Sequence, residues 1–114
     1  MDIQNSSVDR DGGRIKLPAH FDMENIARYR LPFAKLVVYT TRPGVIVDFS
    51  GMTYIDSIGI ATLISWERVC KEKGKCLILE NCSRSVRAEL EMLGVDHLFT
   101  FGAVGARSAT RQQQ

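Results

Sequence analysis

The 114-residue sequence is poor in the residues that carry most enzyme chemistry. It holds two histidines, His20 and His97, and three cysteines, Cys70, Cys76 and Cys82, spaced six apart. No CxxC pair or Cys/His cluster is present, so there is no zinc-ligand pattern. An odd number of thiols without a secretory leader points to a reducing compartment and to idle or buried cysteines. No run reaches the roughly 18 apolar residues that a membrane span needs. The first residues, MDIQNSSVDRDGG, lack the basic and apolar regions of a signal peptide, so the expected location is cytoplasmic, without membrane insertion. Fifteen basic and 13 acidic residues give a net charge of +2, which makes no electrostatic case for nucleic acid. There is no G-x-S-x-G elbow and no glycine-rich phosphate loop. A Ser/His hydrolase would need a base and a group to orient it. His20 precedes the first helix and could approach Ser57, but nothing in the sequence orients it. The expectation is a non-enzymatic protein without cofactor or metal.

The remaining composition, 45% hydrophobic and 25% charged, is that of one globular domain. Residues 1–13 are weakly patterned and read as a poor strand or an arm, with a turn at Asp11-Gly12-Gly13. Arg14-Ile15-Lys16-Leu17 alternates as a half-buried strand does, and Pro18 stops it. Asp22 predicts a helix cap, with a helix beginning near Met23 and apolar positions Ile26, Tyr29, Phe33, Leu36 and Val37. Pro32 inside that helix predicts a kink near residues 28–31.

The run Val45-Ile46-Val47-Asp48-Phe49 reads as a central, buried parallel strand. A helix over residues 57–73 follows, ending in cations and Gly74. Cys76-Leu77-Ile78-Leu79 is a further strand, Asn81 or Ser83 caps a helix over 83–93, and Gly94 closes it. Residues 95–101 form a last short strand or turn. Residues 102–114, with two arginines and no acid, read as a disordered tail. Strands alternating with helices predict an α/β sheet with right-handed crossovers.

The informative stretch is YIDSIGIATLI, residues 54–64. A strand runs into a helix, and Asp56-Ser57 stands at the junction. Ser57 as a helix cap, contributing about 1 kcal/mol, is the favoured reading from the residues alone. The same position suits a regulatory phosphate, which free N–H groups and the helix dipole would accept. The helix that follows has two apolar stripes. Ile60, Leu63, Ile64 and Cys70 suit the sheet. Ile58, Trp66 and Val69, with Thr62 between them, form a second stripe. It is either a partner surface or, for Trp66, a contact with a neighbouring helix.

VIVDFSGMTYIDSIGIATLI, residues 45–64, resembles the signature of the STAS domain, and more narrowly that of anti-sigma factor antagonists of the SpoIIAA type. Gly74-Lys75, the strand after it, Asn81 to Ser83, Leu93-Gly94-Val95 and Leu98-Phe99 are similar to the family's second half. The likeness runs from about Arg14 to Phe101. It implies an α/β, SpoIIAA-like fold, with a four- to five-stranded mixed sheet and three to four helices, over residues 1–101.

The resemblance also implies an anti-sigma factor antagonist in a partner-switching pathway of transcription regulation. Such a protein binds an anti-sigma serine kinase of the GHKL type and is released when the kinase phosphorylates the serine, here Ser57. A PP2C-type phosphatase reverses the step. Asp56 would position the hydroxyl, and Asp22 matches an aspartate of the family's partner-binding surface. Ile58, Gly59, Thr62 and Trp66 complete the expected partner-binding set, on a protein expected to be a monomer. The chain departs from the pattern in Pro32 of the first helix, in a weak N-terminal strand and in two motif segments. Ala19-His20-Phe21-Asp22 replaces Gly-Glu-[apolar]-Asp, and Ile58 replaces a small residue. Two other STAS roles fit the same residues: a non-phosphorylated subunit of an ABC transporter ATPase in phospholipid transport, and a stressosome-like scaffold.

Overall fold

In the computed structural model, residues 7–102 are described. Their main sheet has five strands: β1 (Val8–Asp9), β2 (Arg14–Lys16), β4 (Gly44–Asp48), β6 (Cys76–Glu80) and β7 (Thr100–Gly102). They lie in the order β1-β2-β4-β6-β7. β1 runs antiparallel to β2 through the expected turn, and the other three pairings are parallel. The arm at the N-terminus is thus a two-residue edge strand where it is described. Gly102 belongs to β7, where it pairs with Glu80. The rest of the expected tail, residues 103–114, lies outside the described residues.

The helices are α1 (Ala27–Tyr39), α2 (Ser57–Glu72) and α3 (Arg84–Met92). α2 and α3 stop at glycines that adopt positive φ, 74° at Gly74 and 73° at Gly94. Ser83, not Asn81, caps α3, its Oγ accepting the Val86 N–H at 3.1 Å. Asn81 instead takes φ 59° and donates to Asp48 Oδ1 at 3.0 Å. A 3-10 turn, Asp96–Leu98, leads into β7.

β4 is central and parallel to both neighbours, as its β-branched run predicts. Only one of its faces is fully buried. Ile15, Val45, Val47, Leu77 and Leu79 share the covered face and are 0–1% exposed. Residues of opposite parity, among them Arg14, Ile46, Asp48, Ile78 and Glu80, are half-buried. Arg14 lies across this second face, its guanidinium 2.9 Å from Glu80 and 3.7 Å from Asp48. The Asp48 carboxyl feels desolvation that raises its pKa. Hydrogen bonds from Asn81 and Ser50 and the charge of Arg14 outweigh that effect, and the pKa lies below the ordinary value.

One element departs from its sequence expectation. α1 begins at Ala27, four residues after Met23. Asp22 does cap, but it caps the tight turn before the helix. Its Oδ1 accepts the Glu24 N–H at 3.1 Å, and its carbonyl accepts the N–H groups of Asn25 and Ile26, each at 2.9 Å. As the sequence reading has it, the helix runs through Pro32, which is buried. Proline has no N–H to offer the Arg28 carbonyl, and this one missing bond falls on an exposed turn where water can replace it.

Candidate functional site

Two short strands outside the main sheet set the site. β3 (His20–Phe21) and β5 (Tyr54–Ile55) pair in parallel, His20 opposite Tyr54 and Phe21 opposite Ile55. The next residues on the two strands are Asp22 and Asp56. The ribbon thus delivers both aspartates at one level, at the start of the α1 turn and of α2.

Asp56, not Ser57, is the N-cap of α2. Its backbone is extended (φ −102°, ψ −178°), and its Oδ1 accepts the Gly59 N–H at 2.8 Å. Its Oδ2 accepts the Met23 N–H at 3.0 Å. One carboxylate therefore caps α2 and ties the Asp22–Met23 turn to it. Ser57 is the first helical residue and is exposed. Its hydroxyl enters no hydrogen bond among the described residues. The sequence reading that made Ser57 the cap is corrected by one residue, and the correction frees the hydroxyl. With the Gly59 N–H held by the Asp56 side chain and the Ile60 N–H by the Asp56 carbonyl at 3.0 Å, the Ser57 and Ile58 N–H groups remain as the helix's open donors. Such donors, at the positive end of the helix dipole, are the groups that hold an anion.

The other expected partner-binding residues divide into a surface set and a buried set. Ile58 is 43% exposed. Thr62 is half-buried one turn further on, and its Oγ1 donates to the Ile58 carbonyl at 2.8 Å. Met23 and Tyr54, which the sequence reading missed, extend the apolar surface at 70% and 51% exposure. Tyr54 meets the His20 ring edge-on, with centroids 5.8 Å apart. His20 thus stacks on a neighbour in its own ribbon and makes no hydrogen bond to Ser57 among the described residues.

Gly59 and Trp66 face inward, which corrects their place in the surface set. A Cβ on Gly59 would collide with the Phe21 carbonyl and come within 2.8 Å of Ile55 Cγ1. Glycine is what lets the first turn of α2 lie against β3. Trp66 is 5% exposed and stacks on Phe33 of α1, with ring centroids 4.0 Å apart and planes 4° from parallel. Phe21 touches both Trp66 and Tyr29, at centroid distances of 5.7 and 6.3 Å. This aromatic cluster joins β3, α1 and α2 beneath the site. It fixes the two helices, and with them the spacing of Met23 and Ser57.

A family model described as "Mlab, STAS domain" matches residues 6–100. The chain belongs to the STAS-domain family. The fold of this STAS domain is also similar to that of a Bacillus protein solved as the "Cell Fate Determinant SpoIIAA in the Phosphorylated Form". The TM-score is 0.61, with 17% identity over 89% of each chain. A five-stranded mixed sheet with helices is the architecture that the resemblance implied. Among the described residues, no helix of the STAS domain is long and apolar enough to cross a membrane.

Proposed function

We propose that this STAS domain is a phosphorylation-controlled binding module that acts as an anti-sigma factor antagonist. In its unmodified form it binds an anti-sigma serine kinase of the GHKL type. The kinase phosphorylates Ser57 and the complex parts; a PP2C-type phosphatase resets the switch. The observation that carries this reading is the exposed Ser57 hydroxyl, unbonded among the described residues, beside a cap that Asp56 already supplies. A phosphate there adds about −1.5 to −2 charge without removing a structural hydrogen bond. The domain stays folded while the charge of its surface changes. The added charge lands next to Met23, Tyr54 and Ile58, where it would oppose an apolar partner contact.

The test is incubation with the cognate kinase and ATP, followed by intact mass. One phosphate on the native protein and none on Ser57→Ala is the expected result. A phosphate that still adds to the alanine variant would remove the site assignment.

A second reading is a STAS subunit that docks on a transporter ATPase without being phosphorylated. It is favoured by the matched family's description, which names Mlab and not an antagonist. The exposed Ile58 fits a lasting apolar contact as well as a switchable one. Co-purification separates the two readings: a GHKL-type kinase in one case, an ABC ATPase in the other.

A further inference from the structure

α1 buries one face, with Phe33, Leu36 and Val37 at 2% exposure or less. A surface helix needs no second apolar stripe. α1 has one. Ala27, Leu31, Ala34 and Val38 recur at a spacing of four, three and four, which places them on one line pointing away from the core. All four are exposed, Leu31 at 58% and Val38 at 60%. The spacing is that of a heptad seam, in which large and small residues alternate and let a second helix approach closely.

The charges beside the seam name the occupant. α1 carries Arg28, Arg30 and Lys35, all exposed, and no acidic residue. The Arg10 guanidinium adds a cation near its end, 5.6 Å from the ring centroid of exposed Tyr39. The nearby acids lie off the helix, Asp22 and Glu24 in the turn before Ala27 and two more in the β1–β2 turn. Asp9 and Asp11 line a groove with Lys35, and the Asp9 carboxylate is turned onto the Gly12 N–H at 3.1 Å. Pairing two copies of α1 through this seam would set three cations against three, and like charges at helix flanks oppose association. A lipid surface asks for a broad apolar face with bulky inserting side chains, and this seam is narrow and half alanine.

We infer that the outer face of α1 is a docking seam for an amphipathic helix of a partner protein with acidic flanks. The seam is separate from the Ser57 hydroxyl and does not depend on its modification.

The probes are two labelled synthetic helices with leucine at their a and d positions. One has glutamate at e and g, the other lysine. Fluorescence anisotropy is read against the full chain and its Ser57→Ala form. The glutamate helix binds both forms equally and on the order of tenfold more tightly than the lysine helix. Leu31→Ser/Val38→Ser weakens it by a similar factor, and Arg28→Glu/Lys35→Glu reverses the preference, which simple misfolding would not do. Equal binding of the two helices, or binding that survives the serine pair, overturns the inference. So does dimerisation in sedimentation equilibrium, or uptake by phosphatidylglycerol vesicles, that the serine pair abolishes; either result would assign the seam to a different occupant.

Discussion

Asp56 holds the Met23 N–H on one carboxylate oxygen, at 3.0 Å, while the other oxygen caps α2 at Gly59, at 2.8 Å. The acidic neighbour of Ser57 is thereby the part that fixes the site's shape. Asp56→Ala removes a cap and a tether, and a loss of about 1–2 kcal/mol is expected in urea denaturation. Asp56→Asn can keep one accepting oxygen, so its loss should be smaller. Amide exchange at Met23 should quicken in both variants. Unchanged exchange there would show that the tether does not form in solution.

Gly59→Ala should be a folding variant before it is a binding variant. The added methyl meets the Phe21 carbonyl and Ile55, backbone and core that cannot move aside cheaply. Overpacking of this kind costs about 1–3 kcal/mol. Thermal denaturation measures it, and an unaltered melting temperature would contradict the close approach of α2 to β3.

Trp66→Ala should cost about 3–5 kcal/mol, since it empties the aromatic cluster between α1 and α2. Trp66→Phe keeps a stacking ring on Phe33 and should be much milder. Partner affinity measured on the folded Phe variant should hardly change. A stable Trp66→Ala protein that loses its partner would instead place Trp66 at the surface.

The Asp48 carboxyl has a lowered pKa in the folded state, with the bonds from Asn81 and Ser50 and the charge of Arg14 prevailing over desolvation. A depressed folded pKa means a contribution fully present above the ordinary value of 3.8 and lost as pH falls through the lower folded value. Denaturation followed from pH 7 to pH 3 should therefore show a smaller acid loss in Asp48→Asn than in the native protein. Equal slopes would contradict the network on the open sheet face.

The three thiols should separate by rate. Burial pushes Cys70 up to about 12 and Cys82 up to about 11, so little thiolate is present at neutral pH. Cys76 is exposed. A disulfide reagent at mild pH should show one fast thiol, and Cys76→Ser should remove that phase.

The sheet was legible in the sequence because its physics is local. Val45 to Val47 and Cys76 to Leu79 are β-branched or apolar runs bounded by turn residues, and Gly74 and Gly94 mark helix ends. The open face of β4 was not legible, because Ile46 looks no different from Val45 until the sheet has a covered side. The cap was misassigned by one residue. Asp and Ser are both good caps, and only the extended backbone at residue 56 decides between them. Trp66 faces inward because Phe33, 33 residues earlier in the chain, supplies a parallel ring, which no periodicity within α2 reveals. The spacing of Tyr29, Phe33 and Leu36 marked one face of α1, and that pattern concealed Leu31 and Val38 on the other. The overall charge of +2 likewise concealed the one-sided charge of that helix.

The measurement closest to the central claim is the affinity of the cognate kinase for two forms of this STAS domain, unmodified and carrying phosphoserine at position 57, with folding checked by circular dichroism. The expected result is tight binding of the unmodified form and a loss of at least tenfold in the phosphorylated form, with both forms equally folded. Equal affinity of the two folded forms would contradict a switch at Ser57.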